Sequence, residues 1–263
     1  MSVQNGVFSG KIHVFGGTSD AVLLCQALEA LNLAYSLSVA TEVGSELATG
    51  LKGKIVVARL NPEQMQTYFQ EYAIDLVIDA THPFAAEVSR NIAQATDALG
   101  LALIRYERQE QIDLVDNPLL IKVTDVESAC EAAKAFGSVV FLTTGSKQLA
   151  DYVRLLPEKT LIARVLPTVD VLRSCAELGL GVGQIVAMKG PFSQQMNEAM
   201  YQFYQPDVVI TKESGVEGGY TEKILPAIEQ NIPCIVIRRP KQHYQHLVSS
   251  IEALTSQLLA WKK

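Results

Sequence analysis

Asp75-Leu76-Val77-Ile78-Asp79-Ala80-Thr81-His82-Pro83-Phe84 decides how this chain folds. An apolar run between two aspartates reads as a buried strand. The polar pair Thr81-His82 then arrives where a parallel strand ends and a helix begins. Proline sets φ, and its missing N–H costs nothing at a first helical position. The stretch therefore predicts Thr81 or His82 as a helix cap and Pro83 as the first helical residue. In an open α/β sheet, ligands sit beyond the carboxyl ends of the strands, so this turn is a candidate site.

Working back toward the N-terminus, Lys11-Ile12-His13-Val14-Phe15 reads as a strand. Gly16-Gly17-Thr18-Ser19-Asp20 then turns tightly into a helix over residues 21–31. Two glycines let a phosphate approach the backbone, Thr18 and Ser19 offer hydroxyls, and the helix start offers free N–H groups. The spacing is not G-x-G-x-x-G, so the turn also reads as a plain helix cap, and both readings stand at this point. A second strand over 34–40 ends at Thr41-Glu42, where such domains discriminate the adenosine ribose. Further alternation follows: a strand over 54–58, a helix over 62–72, a helix over 84–99, Gly100 as its C-cap and a strand over 101–105.

The pattern breaks in the charged, aperiodic stretch that ends at Asn117-Pro118. It resumes with apolar strands over 119–123, 139–142, 160–165, 184–188, 207–210 and 234–237, and with helical spacing in residues 247–261. A Thr124-Asp125-Val126-Glu127 capping box opens the helix after the first of these strands. The expected fold is α/β: two consecutive Rossmann-like domains with mainly parallel sheets and an interdomain cleft. Residues 1–106 form the first domain, 107–118 a linker and 119–263 the second domain.

With 263 residues and 48% apolar side chains, the chain can bury two cores. A net charge of −6 and the lack of a long basic run argue against general nucleic-acid binding. Cys25, Cys130, Cys175 and Cys234 lie far apart in apolar stretches, which suits buried thiols in a reducing compartment and not a metal site. The first ten residues lack the charge and apolar run of a secretion signal, and no later stretch is long enough to span a membrane. The expectation is a soluble, cytoplasmic protein without nucleic-acid or membrane partners.

Chemistry-bearing side chains collect after the strands: residues 16–19, Thr81-His82, Thr144-Gly145, Lys189-Gly190, and Lys212 with Ser214. His82 has the pKa range of a proton donor near neutrality, or it caps the following backbone. Lys189, Lys212, Arg238 and Arg239 can form a cationic rim for carboxylates, or the consecutive arginines are a solvated strand end and Lys212 pairs with Glu213 or Glu222. There is no G-x-S-x-G nucleophile motif, no metal-ligand cluster, and no Tyr-x-x-x-Lys pair around Tyr220-Thr221-Glu222-Lys223.

In order along the chain, Gly16-Gly17-Thr18, Asp79-Ala80-Thr81-His82-Pro83-Phe84-Ala85, Lys189-Gly190-Pro191-Phe192, Thr211-Lys212-Glu213-Ser214-Gly215, Gly218-Gly219 with Glu222-Lys223, and Arg238-Arg239-Pro240 resemble the precorrin-6A reductase family, including its cobalt-precorrin-6A branch. The resemblance implies reduction of one double bond of a corrin precursor during cobalamin synthesis, with NADPH or NADH as cofactor. On that reading Gly16, Gly17, Thr18, Ser19, Thr41, Thr81, Thr144 and Gly145 are the candidate cofactor residues. Lys189, Lys212, Ser214, Arg164 and Arg238 are candidates for the substrate's carboxylates, and His82 is the candidate proton donor. Two other readings remain open: a reductase of another conjugated small molecule, and a two-lobed ligand-binding protein without catalysis.

Overall fold

Short apolar runs that alternate with amphipathic segments produce, in a computed structural model, two six-stranded sheets whose neighbouring strands are all parallel. The structure describes residues 3–4, 7–8, 10–108, 116–215, 218–240 and 244–261. Val3–Gln4 (β1) and Val7–Phe8 (β2) form a small antiparallel ladder.

The first sheet uses Ile12–Phe15 (β3), Tyr35–Val39 (β4), Lys54–Val57 (β5), Leu76–Asp79 (β6) and Ala102–Tyr106 (β7). Between them run Ser19–Ala30 (α1), Glu42–Leu47 (α2), Pro62–Glu71 (α3) and Ala86–Leu99 (α4). The period-2 alternation of β3 decides which face buries what. Ile12 and Val14 join Leu24, Leu28, Leu37 and Ile78 under α1, whereas Phe15 joins Met65, Phe69 and Ile92 under α3 and α4. His13 shares the Phe15 face. It is held by Ser36 Oγ at 2.7 Å and Ser38 Oγ at 2.9 Å, and burial pushes its pKa down to about 3.

The second sheet uses Leu120–Val123 (β8), Val139–Leu142 (β9), Thr160–Val165 (β10), Ile185–Ala187 (β11), Val208–Lys212 (β12) and Cys234–Ile237 (β13). Its helices are Val126–Ala133 (α5), Leu149–Leu155 (α6), Val169–Glu177 (α7), Gln194–Tyr204 (α8) and Tyr220–Glu229 (α9). Phe141, Ile162, Tyr201, Val209, Tyr220, Ile224 and Val236 share its core. All four cysteines are free and buried.

Three sequence expectations are corrected. The helix after Pro83 begins at Ala86, and its N-cap Ala85 makes no side-chain cap bond. Thr81 does not cap it because its hydroxyl donates to Asp79 Oδ1 at 2.7 Å, and His82-Pro83-Phe84 forms a separate turn closed by Ala85 N–H to the His82 carbonyl at 2.8 Å. The helix expected within Thr124-Asp125-Val126-Glu127 is capped by Asp125, which accepts from Ser128 N at 2.7 Å.

The third correction concerns the domain boundary. The C-terminal segment does not extend the second domain: Leu247–Val248 (β14) pairs with Arg105 and Tyr106 at the edge of the first sheet. Ile251–Ala260 (α10) then buries Leu254 and Leu258 in the first core. The two units are therefore Met1–Gln109 with Pro240–Lys263, and Glu110–Arg239. Most of the expected linker, residues 109–115, lies outside the described residues.

Candidate functional site

The first sheet runs β5-β4-β3-β6-β7-β14, so the chain winds outward from β3 to one side and then returns to the other. The reversal falls between β3 and β6, and the position beyond their carboxyl ends is the usual ligand position in such sheets. Here the structure brings together Gly16-Gly17-Thr18-Ser19 and Ala80-Thr81. Ala80 N donates to the Phe15 carbonyl at 2.8 Å, and the Thr18 hydroxyl donates to the Ala80 carbonyl at 3.4 Å.

Each glycine has its own reason. A Cβ on Gly16 would lie 2.6 Å from Ala21 Cβ and 2.8 Å from Leu37 Cδ1, so glycine lets α1 pack close to the sheet. Gly17 has φ of +115° and open space where a side chain would stand. Thr18 caps α1, accepting from Ala21 N at 3.3 Å, and Ser19 is the first helical residue. Asp20, in the first turn, is neutralised by Arg108 at 2.6 Å. Thr41, two residues after β4, caps α2 by accepting from Gly44 N at 3.2 Å, while a Cβ on Gly44 would stand 3.6 Å from Gly17 Cα. Thr41 is thus near the glycine turn.

Behind Thr81 lies a network that sequence reasoning missed. Asp79 is fully buried, and its Oδ1 accepts from Thr81 N at 3.0 Å, from the Thr81 hydroxyl at 2.7 Å and from Arg105 Nη1 at 2.8 Å. Asp79 Oδ2 is buried with no hydrogen-bond partner among the described residues. Arg105 reaches Glu107 Oε2 through Nε at 3.1 Å and Nη2 at 3.0 Å. Burial opposes the Arg105 charge, but the Asp79 and Glu107 carboxylates outweigh it and raise its pKa. His82 is exposed, and its Nδ1 accepts from Phe84 N at 3.2 Å. That bond leaves the neutral ring with its proton on Nε2.

In the second unit the order β11-β10-β9-β12-β13-β8 reverses between β9 and β12. Thr143 N donates to the Ile210 carbonyl at 2.9 Å, which sets Thr144 and Gly145 beside the end of β12, where Lys212 and Ser214 follow. Lys212 is half-buried and donates to Gln148 Oε1 at 2.7 Å; burial and then the Lys147 charge lower its pKa. Ser214 donates to the Gly218 carbonyl at 3.0 Å and accepts from Lys223 Nζ at 3.0 Å. Arg164 rises from β10 and is buried, with Nη1 on Asn197 Oδ1 at 2.6 Å and its guanidinium 4.0 Å from the Phe192 ring centre. Lys189 is exposed after the edge strand β11, and Arg238 is half-buried at the end of β13. Lys189 is thus away from the reversal point, whereas Arg238 follows Ile237, which pairs with Lys212 in the neighbouring strand.

Sequence reasoning did not select Lys223, yet Tyr220, Ile224 and Ala227 define the buried stripe of α9, and a lysine beside that stripe is the signal that could have found it. No group of three His, Cys, Asp or Glu side chains able to hold a metal occurs among the described residues, and none of their helices is long and apolar enough to cross a membrane.

Two wholly parallel sheets, the first wound outward from a strand that ends in a glycine turn and a capped helix, define a doubly wound α/β protein of the Rossmann-like class. The chain belongs to the precorrin-6x reductase CbiJ/CobK family, which matches residues 11–259 and is an oxidoreductase family of cobalamin biosynthesis. It is 49% identical over 248 residues to the cobalt-precorrin-6A reductase of Salmonella typhimurium, covering 94% of this chain and 93% of that one. With the cobalt-precorrin-6A reductase of Methanocaldococcus jannaschii it shares 35% identity over 245 residues, covering 93% and 96%. The fold matches that of a CobK precorrin-6A reductase at a TM-score of 0.79 and 23% identity, covering 95% and 96% of the two chains. The resemblance carried by residues such as Asp79-Ala80-Thr81-His82-Pro83 is thereby shown.

Proposed function

We propose that this chain reduces one double bond of the precorrin-6A macrocycle, in its cobalt-containing or metal-free form, using NADPH or NADH. The observation that carries the reading is the meeting of the glycine turn at 16–19 with the Thr81 turn at the reversal of the first sheet, in a chain that matches its family almost end to end.

The residues present fit such a cofactor, because Gly17 leaves space where a side chain would stand and α1 presents its N-terminus beside it. Gly16, Gly17, Thr18 and Ser19 hold the phosphates, Thr41 lies toward the ribose and Thr81 lies beside them; Thr144 and Gly145 are further candidate cofactor residues. A bound reduced nicotinamide supplies the hydride. As an imidazolium, in which Nδ1 no longer accepts from Phe84 N, His82 gives its Nε2 proton to the carbon next to the one reduced and returns to the neutral ring. Lys189, Lys212, Ser214, Arg164 and Arg238 bind the substrate's carboxylates, which gives an acidic protein a use for local cations. A cytoplasmic location suits the four buried thiols.

The test mixes purified protein with precorrin-6A or cobalt-precorrin-6A and with each cofactor, following nicotinamide absorbance and product mass. The expected result is cofactor oxidation matched by the gain of one hydride and one proton per macrocycle. No oxidation of either cofactor with either macrocycle overturns the proposal.

A further inference from the structure

A buried guanidinium ordinarily has an acid against it, as Arg239 has Glu213 at 3.5 Å. Arg164 and Lys223 do not. Arg164 is 5% exposed, and its contacts are neutral: Asn197 Oδ1 at 2.6 Å, Met200 Sδ at 3.7 Å and the Phe192 ring. Lys223 is 9% exposed and donates to Ser214 Oγ at 3.0 Å, one use of its three donors. Among the described residues neither cation forms an ion pair, and the charge of Arg164 acts on Lys223 as repulsion.

The surroundings add to this positive field. Lys223 lies in the first turn of α9, whose N-cap Gly219 makes no side-chain cap bond. A Cβ on Gly219 would stand 3.8 Å from the carbonyl oxygen of Phe192, two residues before α8 begins, so the starts of α8 and α9 adjoin. Both helix N-termini bring partial positive charge to the same place. Glu222, from α9, acts on Lys223 in the opposite sense, but its Oε2 is buried without a hydrogen-bond partner and lies over Gly219, 3.6 Å from a Cβ placed there. Tyr201 and Asn197, from α8, are neutral, and the Tyr201 hydroxyl donates to the Lys223 carbonyl at 3.0 Å. Two buried cations without an ion-pair partner weaken the fold, and an entering anion reverses that cost.

We propose that Arg164, Lys223 and Ser214 form a buried oxyanion site in the second unit, which takes one carboxylate or phosphate group, and that the Lys223 amine gains a proton from solvent as the anion enters. The nitrogen lone pair accepts that proton, and no other bond changes. Without the anion, burial and then Arg164 hold the Lys223 pKa down to about 7, with Glu222 opposing; an anion alongside raises it. Naming the source of the anion, a macrocycle carboxylate or a nucleotide phosphate, rests on the reductase reading. The site itself does not.

The experiment compares full-length wild type with Lys223→Met, Lys223→Arg and Arg164→Met. Calorimetry at pH 8 in two buffers of different ionisation enthalpy gives proton uptake on NADPH binding, and steady-state assays give KM for cobalt-precorrin-6A. Titrations with inorganic phosphate and acetate follow the same proton uptake. Wild type takes up a proton with at least one of these ligands. Lys223→Met weakens that ligand about tenfold or more, loses the uptake, and melts no lower than wild type because a buried charge has gone. Lys223→Arg retains binding better than Lys223→Met and shows no uptake, and Arg164→Met weakens the same ligand.

A raised KM with unchanged NADPH affinity assigns the site to a macrocycle carboxylate; weakened NADPH binding assigns it to a nucleotide phosphate. Folded Lys223→Met and Arg164→Met proteins with wild-type affinity for every ligand overturn the proposal, as does unchanged proton uptake in Lys223→Met. If wild type oxidises neither cofactor the reductase reading fails alone, and phosphate and acetate still test the site.

Discussion

Arg105→Met tests whether the Thr81 turn is held by the charge behind it. The substitution keeps most of the aliphatic bulk but leaves Asp79, fully buried, without its guanidinium at 2.8 Å. Breaking a buried pair from one side costs about 3–5 kcal/mol, because the remaining charge has nothing to face. For the first unit that corresponds to a melting temperature lower by roughly 10–20 °C. Adding Asp79→Asn removes the stranded charge while an amide oxygen still accepts from Thr81, so the double variant should recover to within about 1–2 kcal/mol of wild type. Urea unfolding followed by circular dichroism supplies all four corners of the cycle, and NADPH titration on each folded variant reads the turn itself. A single-variant cost below about 1 kcal/mol, or a double variant as weak as the sum of its parts, would refute the reasoning.

His82→Ala should lower turnover more than cofactor affinity, with stability within about 0.5 kcal/mol of wild type because the ring is exposed; unchanged kcat in a steady-state assay removes the proton-donor role. Gly16→Ala drives a methyl to within 2.6 Å of Ala21 Cβ, so α1 must move from the sheet at a cost of roughly 1–3 kcal/mol, with weaker NADPH binding by fluorescence titration. Lys212→Ala should raise KM for the macrocycle at low ionic strength and less so at high salt; a salt-independent loss points instead to its bond with Gln148. His13 is buried neutral, with its pKa lowered to about 3. Its contribution is therefore complete above the unfolded value near 6.5 and is lost as pH falls toward 3, at up to about 1.4 kcal/mol per pH unit. His13→Leu should flatten that part of the acid-unfolding curve, and an unchanged slope between pH 6 and pH 4 would contradict it.

The strands were legible because their apolar runs are local. Leu76-Val77-Ile78 announces β6 without knowledge of its neighbours, and Gly16-Gly17-Thr18 announces a tight entry to α1. What failed depended on partners distant in sequence. Thr81 has the chemistry of a helix cap, but Asp79 and Arg105 claim its hydroxyl, so the helix waits until Ala86. Leu247–Val248 is two residues long and becomes a strand because the edge of β7 accepts it. No local periodicity carries that information.

Lys223 was obscured for the opposite reason, and the sequence marked Arg164 as a cation for carboxylates without a sign of its burial. Arg164 sits inside the apolar run of Thr160–Val165 and Lys223 beside the buried stripe of α9, so each charge interrupts a pattern otherwise sufficient to specify its element. Such interruptions oppose folding unless something compensates them. In the first unit the compensation is internal, since Arg105, equally out of place in Ala102–Tyr106, is enclosed by Asp79 and Glu107. In the second unit the corresponding acids do not close on Arg164 or Lys223 among the described residues. The contrast separates a cation that holds a turn in place from cations held ready for a ligand, and it predicts opposite signs for one kind of substitution: Arg105→Met lowers the melting temperature, whereas Lys223→Met does not.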